Sequence, residues 1–168
     1  MTRGALIAAL LLATPAAAQQ RAQPERLGTH GAWTAAKHQE GGQTVCYAFA
    51  RASSSQGAPN NRVTVTLTVT HRPTGRDQVA VSVGYPLPRS AESVLTVGNA
   101  EFRSYAVIGS NAFFQNGAQL IAAFRAGREA VARSPGPPGR QPVSDTFSLS
   151  GFTAAYQAIS RECPARAR

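Results

Sequence analysis

The chain has 168 residues, 17 Lys or Arg against 8 Asp or Glu, a formal net charge of +9, and two cysteines. That length suits one domain with a real core. No long basic run marks a nucleic-acid arm, and two cysteines this far apart lack metal-site spacing, so neither nucleic acid nor structural zinc is expected.

The chain opens with an address. Arg3 is a short positive region, and Gly4 to Ala13 is an apolar run, half the length of the ~20 residues a membrane span needs. Ala16-Ala17-Ala18 supplies the small-x-small pattern of a cleavage site, so residues 1–18 are expected to be a signal peptide cut before Gln19. No cysteine follows the apolar run to carry lipid, and no second hydrophobic segment occurs. The mature chain is therefore expected to be periplasmic or secreted, without a transmembrane segment. In that oxidising setting Cys46 and Cys163 are expected to bridge. Closing so long a loop stabilises by about 4 to 5 kcal/mol in the chain-entropy model.

Residues 19–29 are polar, contain Pro24, and read as a flexible lead, with a single domain over residues 30–164. Trp33 is placed to anchor a core edge. Thr44 to Ala50 reads as a strand with large residues on one face (Val45, Tyr47, Phe49) and small ones on the other (Cys46, Ala48, Ala50). After the loop 53–61, Arg62 to Thr70 alternates Val63, Val65, Leu67 and Val69 with four threonines, the pattern of a sheet with one wet face. Residues 71–77 turn the chain, and Gln78 to Gly84 returns it. Weaker strands are expected at 93–97, 102–108, 112–114 and 129–132. Between the last two lies a short helix, with Asn116 and Gln119 as a variant capping box and Gly127 as a left-handed terminator. The proline-rich segment 134–142 leads into a strand over Ser144 to Leu149. The last element is a helix whose Phe152, Ala155, Tyr156, Ile159 and Cys163 form one stripe, stopped by Pro164. That stripe is expected to lie on the small face of the Cys46 strand.

The residue types for catalysis are sparse. Three histidines (His30, His38, His71) and two aspartates (Asp77, Asp145) give no nucleophile-elbow pattern, and the cysteines are committed to the bridge. The acids read as surface and turn positions, and His38 and His71 as solvated residues near strand ends. The chain is therefore expected to be no enzyme, with no catalytic, metal or cofactor residues. Lys37 is the only lysine; arginines Arg51, Arg62, Arg72, Arg76, Arg89, Arg103, Arg125 and Arg128 are scattered. They fit either a solvated surface or attraction to lipopolysaccharide, anionic lipid or acidic glycan. Tyr85-Pro86-Leu87-Pro88 and Ala112-Phe113-Phe114 are apolar clusters assigned to the core by default.

The order of these features resembles a known family. A Gly31-Ala32-Trp33 opening, a Cys46-Tyr47 strand, Gly84-Tyr85-Pro86 and a Leu120-Ile121…Ala123…Gly127 helix precede Asp145-x-Phe147-Ser148-Leu149-Ser150-Gly151-Phe152. This series is similar to the invasion-associated locus B family of bacterial envelope proteins, most specifically at its closing Ser-Leu-x-Gly-Phe. The resemblance implies an exported, β-rich protein and brings no catalytic residues with it. Better-known members carry additional cysteines, one soon after the opening tryptophan, where this chain has residues 35–38 without one.

Together these readings predict a mainly β, antiparallel sandwich-like domain with two short helices, the C-terminal one tethered by Cys46–Cys163. The expected role is a non-catalytic module for an envelope or host-surface protein, or alternatively a polyanion binder using surface arginines.

Overall fold

The structure is a computed structural model that describes residues 23–60 and 62–165. The expected signal peptide, residues 1–18, lies outside the described residues. The elements are β1 (Glu25–His30), β2 (Trp33–Glu40), β3 (Gln43–Arg51), β4 (Ser54–Gln56), β5 (Thr66–Arg72) and β6 (Gly75–Ser82). They continue through β7 (Val94–Val97), β8 (Ala100–Ile108), β9 (Asn111–Phe114), α1 (Gly117–Ala126), β10 (Glu129–Ser134), β11 (Val143–Ser148) and α2 (Phe152–Glu162).

All ladders are antiparallel, in the order β1-β2-β3-β5-β6-β9-β8-β7-β10-β11-β4. The threonine–aliphatic alternation works as the pattern demands. Leu67 and Val69 on β5 are fully buried and stand opposite Val81 and Val79 on β6, while Thr66, Thr68 and Thr70 are half-buried on the other face. Two bends turn this long sheet back on itself. β8 pairs with β7 through Ala100–Arg103 and with β9 through Ser104–Ile108, with a bulge between Ser104 and Ala106. The chain leaving β3 also changes partner: the Ser53 amide donates to Thr146 O at 2.8 Å, and β4 then pairs with β11. One hydrophobic cluster joins the two parts, with Leu67, Val69 and Val81 on one side and Leu95, Ala132 and Phe147 on the other.

Several local expectations are corrected. Residues 25–29, assigned to a flexible lead, form most of β1, paired to β2 with a register shift between Arg26 and Gly28. β1 is an edge strand, so it has no buried alternation to show in the sequence. β2 was also not expected as a strand, because Ala35 and Ala36 carry little β preference; both are buried against neighbours. The β5 strand begins at Thr66, not at residue 62, and Val63 is 69% exposed instead of sharing the inward face of Val65. Asn116 precedes α1 in a left-handed conformation (φ 59°) without a side-chain cap, so the capping box with Gln119 does not form. Gly127 ends α1 in an extended conformation (φ −87°), not a left-handed one. Its missing Cβ matters for space: one there would lie 2.6 Å from Val97 Cγ1.

α2 packs across β1, β2, β3 and β5. Beneath it lie Ala35, Cys46, Ala48 and Ala50, all at most 1% exposed, so the helix rests on the small-residue face as expected. Phe152 stands edge-on to Trp33 at 4.9 Å and to Phe124 of α1 at 5.2 Å. The Trp33 indole donates to Ser148 O at 2.9 Å, which ties β2 to the end of β11. The Cys46–Cys163 disulfide, with Cα atoms 6.0 Å apart, fastens the far end of the helix.

Gly151 starts α2 at φ 87°, and a Cβ there would run into the His30 carbonyl. Gly41 has a similar positive φ (57°) but open space around it. Gly151→Ala should therefore cost well over the roughly 1–2 kcal/mol of left-handed strain alone, and Gly41→Ala no more than that strain. Urea denaturation of the two variants checks the difference.

Candidate functional site

A polar cluster lies under the C-terminal half of α2, where the β5–β6 turn meets the helix. His71 continues the inward phase of Leu67 and Val69 and faces Cys46 across the ladder. It is 1% exposed, which corrects the expectation of a solvated strand-end histidine. Its Nε2 lies 3.1 Å from Ser160 Oγ of α2, and its Nδ1 accepts the Asp77 amide at 3.3 Å. Asp77 sits at φ 53° with its carboxylate 3.7 Å from the same Nδ1, and Tyr156 OH donates to that carboxylate at 2.7 Å. Arg76 donates to the Cys163 carbonyl and, at 3.4 Å, to Ser160 Oγ. Arg125 of α1 lies over the Tyr156 ring, 4.9 Å from its centroid.

Serine, histidine and aspartate thus meet, but the direction of the bonds matters. An amide already donates to Nδ1, so the single proton of neutral His71 belongs on Nε2, which donates to Ser160. A serine nucleophile needs the reverse: an Nε2 that accepts, with Nδ1–H held by the acid. Here the Asp77 carboxylate is held by Tyr156 and Ser160 receives protons from two sides. The arrangement pins α2 to the β5–β6 turn. Desolvation, reinforced by nearby Arg76, lowers the His71 pKa to about 4, while burial and then the bond to Asp77 raise that of Tyr156.

A cleft of about 420 Å³ opens beside this cluster, lined by Thr44, Arg72, Thr74, Arg76, Cys163 and Pro164 among others. Arg72 is turned to Glu40 and Gln78. The other two histidines lie apart: His38 stands edge-on to Tyr47 with Glu40 at 3.7 Å, and the ring nitrogen Nε2 of His30 is packed against Gly28. Among the described residues no three His, Cys, Asp or Glu side chains gather closely enough to hold a metal ion.

A second polar site sits at the opposite end of the sheet. Asp145 is fully buried, which corrects its assignment to the surface, and binds Ser55 Oγ at 2.6 Å and Arg62 Nη1 at 3.0 Å. The Arg62 side chain is 8% exposed and also reaches the Val83 carbonyl at 3.2 Å, so it does not belong with the surface arginines. The pair bridges β11, β4 and the entry to β5. Hydroxyls complete a nearby seam, with Ser93 Oγ 2.8 Å from Ser134 Oγ and Tyr85 OH donating to Pro135 O at 2.8 Å. The Tyr85 and Leu87 side chains are core, as expected. The signal for Asp145 was available in the sequence: it alternates in phase with Val143 and Phe147, both buried.

The outer face of the β7–β10–β11 layer carries a shallow cleft of about 430 Å³ in which Arg133 and Arg103 flank Val94 on one cross-strand row. Arg103 is paired with Glu92. No helix among the described residues is long and apolar enough to cross a membrane.

This fold and its polar sites define a small antiparallel β domain whose terminal helix is fixed by a disulfide and a buried hydrogen-bond cluster. The family model for "Invasion associated locus B (IalB) protein" matches residues 33–160, and the chain belongs to that family. Its fold is similar to the crystal structure of invasion associated protein B from Bartonella henselae, at a TM-score of 0.55 and 23% identity, over 84% of this chain and 97% of that one. A comparison with curated proteins finds no match.

The burial of neutral His71 has a pH signature. The unfolded histidine binds its proton near pH 6.5 and the folded one near 4, so the unfolded chain holds more protons between them. The contribution of His71 is fully present above pH 6.5 and is lost as pH falls toward 4, on the order of 3 kcal/mol. Unfolding free energies measured across this window should slope down on acidification in the wild type, and the slope should flatten in His71→Gln. Equal slopes in the two proteins would contradict a buried neutral histidine.

Proposed function

We propose that this chain is an exported, non-catalytic interaction module of the bacterial envelope, with an envelope or host-surface protein as its partner. The observation that carries this reading is the direction of the bonds under α2. Ser160, His71, Asp77 and Tyr156 satisfy one another in holding the helix, so Ser160 is not poised to lose its proton. Residues 1–18 have the make-up of a signal peptide, and a long-range disulfide suits a periplasmic or secreted protein. The family's description links its members to invasion, which fits a surface-contact role.

A second reading is a polyanion binder. The row with Arg133 and Arg103 and the excess of arginine in the sequence favour it, with lipopolysaccharide or acidic glycan as ligand.

Crosslinking of the tagged protein in its own cells, followed by mass spectrometry, tests the first reading. Wild type and Ser160→Ala should capture the same specific partner, with the variant about 1 kcal/mol less stable. Turnover of any substrate that Ser160→Ala abolishes would sink it. For the second reading, retention on immobilised lipopolysaccharide or heparin should fall steeply with salt and weaken in Arg103→Gln/Arg133→Gln; salt-independent retention would rule it out.

A further inference from the structure

We propose that the sheet end farthest from the disulfide is a docking tip for an anionic lipid surface. The proposal rests on the envelope-module reading for access to such a surface, and adds a site to it.

The tip is built from backbone pairing. Arg51 of β3 stands opposite Thr66 of β5, Thr66 opposite Ser82 of β6, Ser82 opposite Asn111 of β9, and Asn111 opposite Ile108 of β8. These four steps make one row about 19 Å long at the usual strand spacing of about 4.8 Å. Beyond the row the chain folds over the end of the sheet. The Val63 amide donates to Gly84 O at 3.3 Å, Val83 to Ser110 O at 2.9 Å, and Leu87 to Gly109 O at 2.9 Å. The segment 84–88 therefore lies between Val63 and the β8–β9 hairpin tip.

What this end presents is unusual for the molecule. Val63 is 69% and Ile108 67% exposed, two of the three large apolar side chains left in water among the described residues. Pro86 and Pro88 between them are exposed as well. Single exposed aliphatics are ordinary, but these are gathered on neighbouring convex turns. Val63 is also held outward: its neighbour Arg62 is drawn inward to Asp145 and the Val83 carbonyl, which fixes the strand entry.

Charge selects the partner. Arg51 and Arg89 are exposed at this end and make no ion pair among the described residues. No acidic side chain occurs on the row or in residues 62–66 and 82–90. The clefts at the α2 end and on the outer β7–β10–β11 face are lined by other residues. Small aliphatic tips flanked by guanidinium groups match an interface in which apolar atoms enter the acyl boundary while the cations meet lipid phosphates.

Co-sedimentation of the mature chain with vesicles of phosphatidylglycerol and phosphatidylcholine, against phosphatidylcholine alone, tests this. Wild type should partition onto the anionic vesicles and release as salt rises. Arg51→Gln/Arg89→Gln should weaken partitioning about thirtyfold, from about 1 kcal/mol per arginine near an anionic surface. Val63→Ser/Ile108→Ser should weaken it about tenfold or more. All four residues are exposed, so both variants should keep the wild-type melting temperature. The distant pair Arg26→Gln/Arg161→Gln, exposed near the disulfide end, should bind as wild type does. Absence of partitioning at low salt overturns the proposal, and so does an equal loss in the distant pair, which would mean diffuse charge attraction. A protein partner captured in cells alongside no vesicle binding would leave the module reading standing and remove the lipid tip.

Discussion

The docking of α2 onto a patch of small side chains is the constraint on which the rest of the domain depends. Ala35, Ala48 and Ala50 leave the middle of the first layer shallow enough for a helix to approach, and Phe152, Trp33 and Phe124 fill the space at one end of it. Apolar contact supplies the attraction, but it is not directional. Direction comes from the groups at the other end: the disulfide, the His71–Ser160 bond, and Lys37 reaching Glu162 at 2.6 Å. The exposed Lys37 pair contributes little by itself. The buried bonds matter more, because His71, 1% exposed, has Ser160 of the helix as the partner of its Nε2.

The opposite end of the sheet solves a different problem. There the sheet turns through β3 into β4, and the loop between β4 and β5 must be held without regular pairing. A buried Arg62–Asp145 pair does this, with Ser55 and the Val83 carbonyl taking up the remaining polar capacity. Such a pair adds little net stability over an apolar substitute, yet removing either partner alone is costly. It fixes one geometry for the loop. The two ends therefore differ in kind: one is covalently closed and recessed, the other ionically braced and convex.

Much of this was legible in the residues. The β5–β6 hairpin followed from its threonine–aliphatic alternation, and the stripe on α2 with its cysteine placed both the helix face and the bridge. Alternation also carried more than was read from it. His71 and Asp145 each occupy an inward phase of a strand whose other inward residues are apolar, so their burial was encoded in position although their chemistry suggested the surface. The edge strand β1 and the alanine-rich β2 were illegible for the opposite reason. Their ladders join close neighbours, but their packing is decided by residues 100 and more away, such as the Ser148 carbonyl that receives the Trp33 indole. The terminators of α1 were misjudged because Gly127 is required for closeness to Val97 and Leu149, not for its backbone angle.

The position of α2 after β11 in the element order has a consequence for assembly. Its partners lie at the start: Trp33, Cys46 and His71 wait on contacts with residues 148–163, and the ring of interactions spans a sequence separation of 117 at the disulfide. Loop-closure entropy makes such distant contacts late to form. A chain that stops short of Cys163 holds an unpaired thiol and an uncovered tryptophan, both chemically conspicuous. Oxidation of this one bond therefore reports that residues 148–163 have reached their place against β2, β3 and β5.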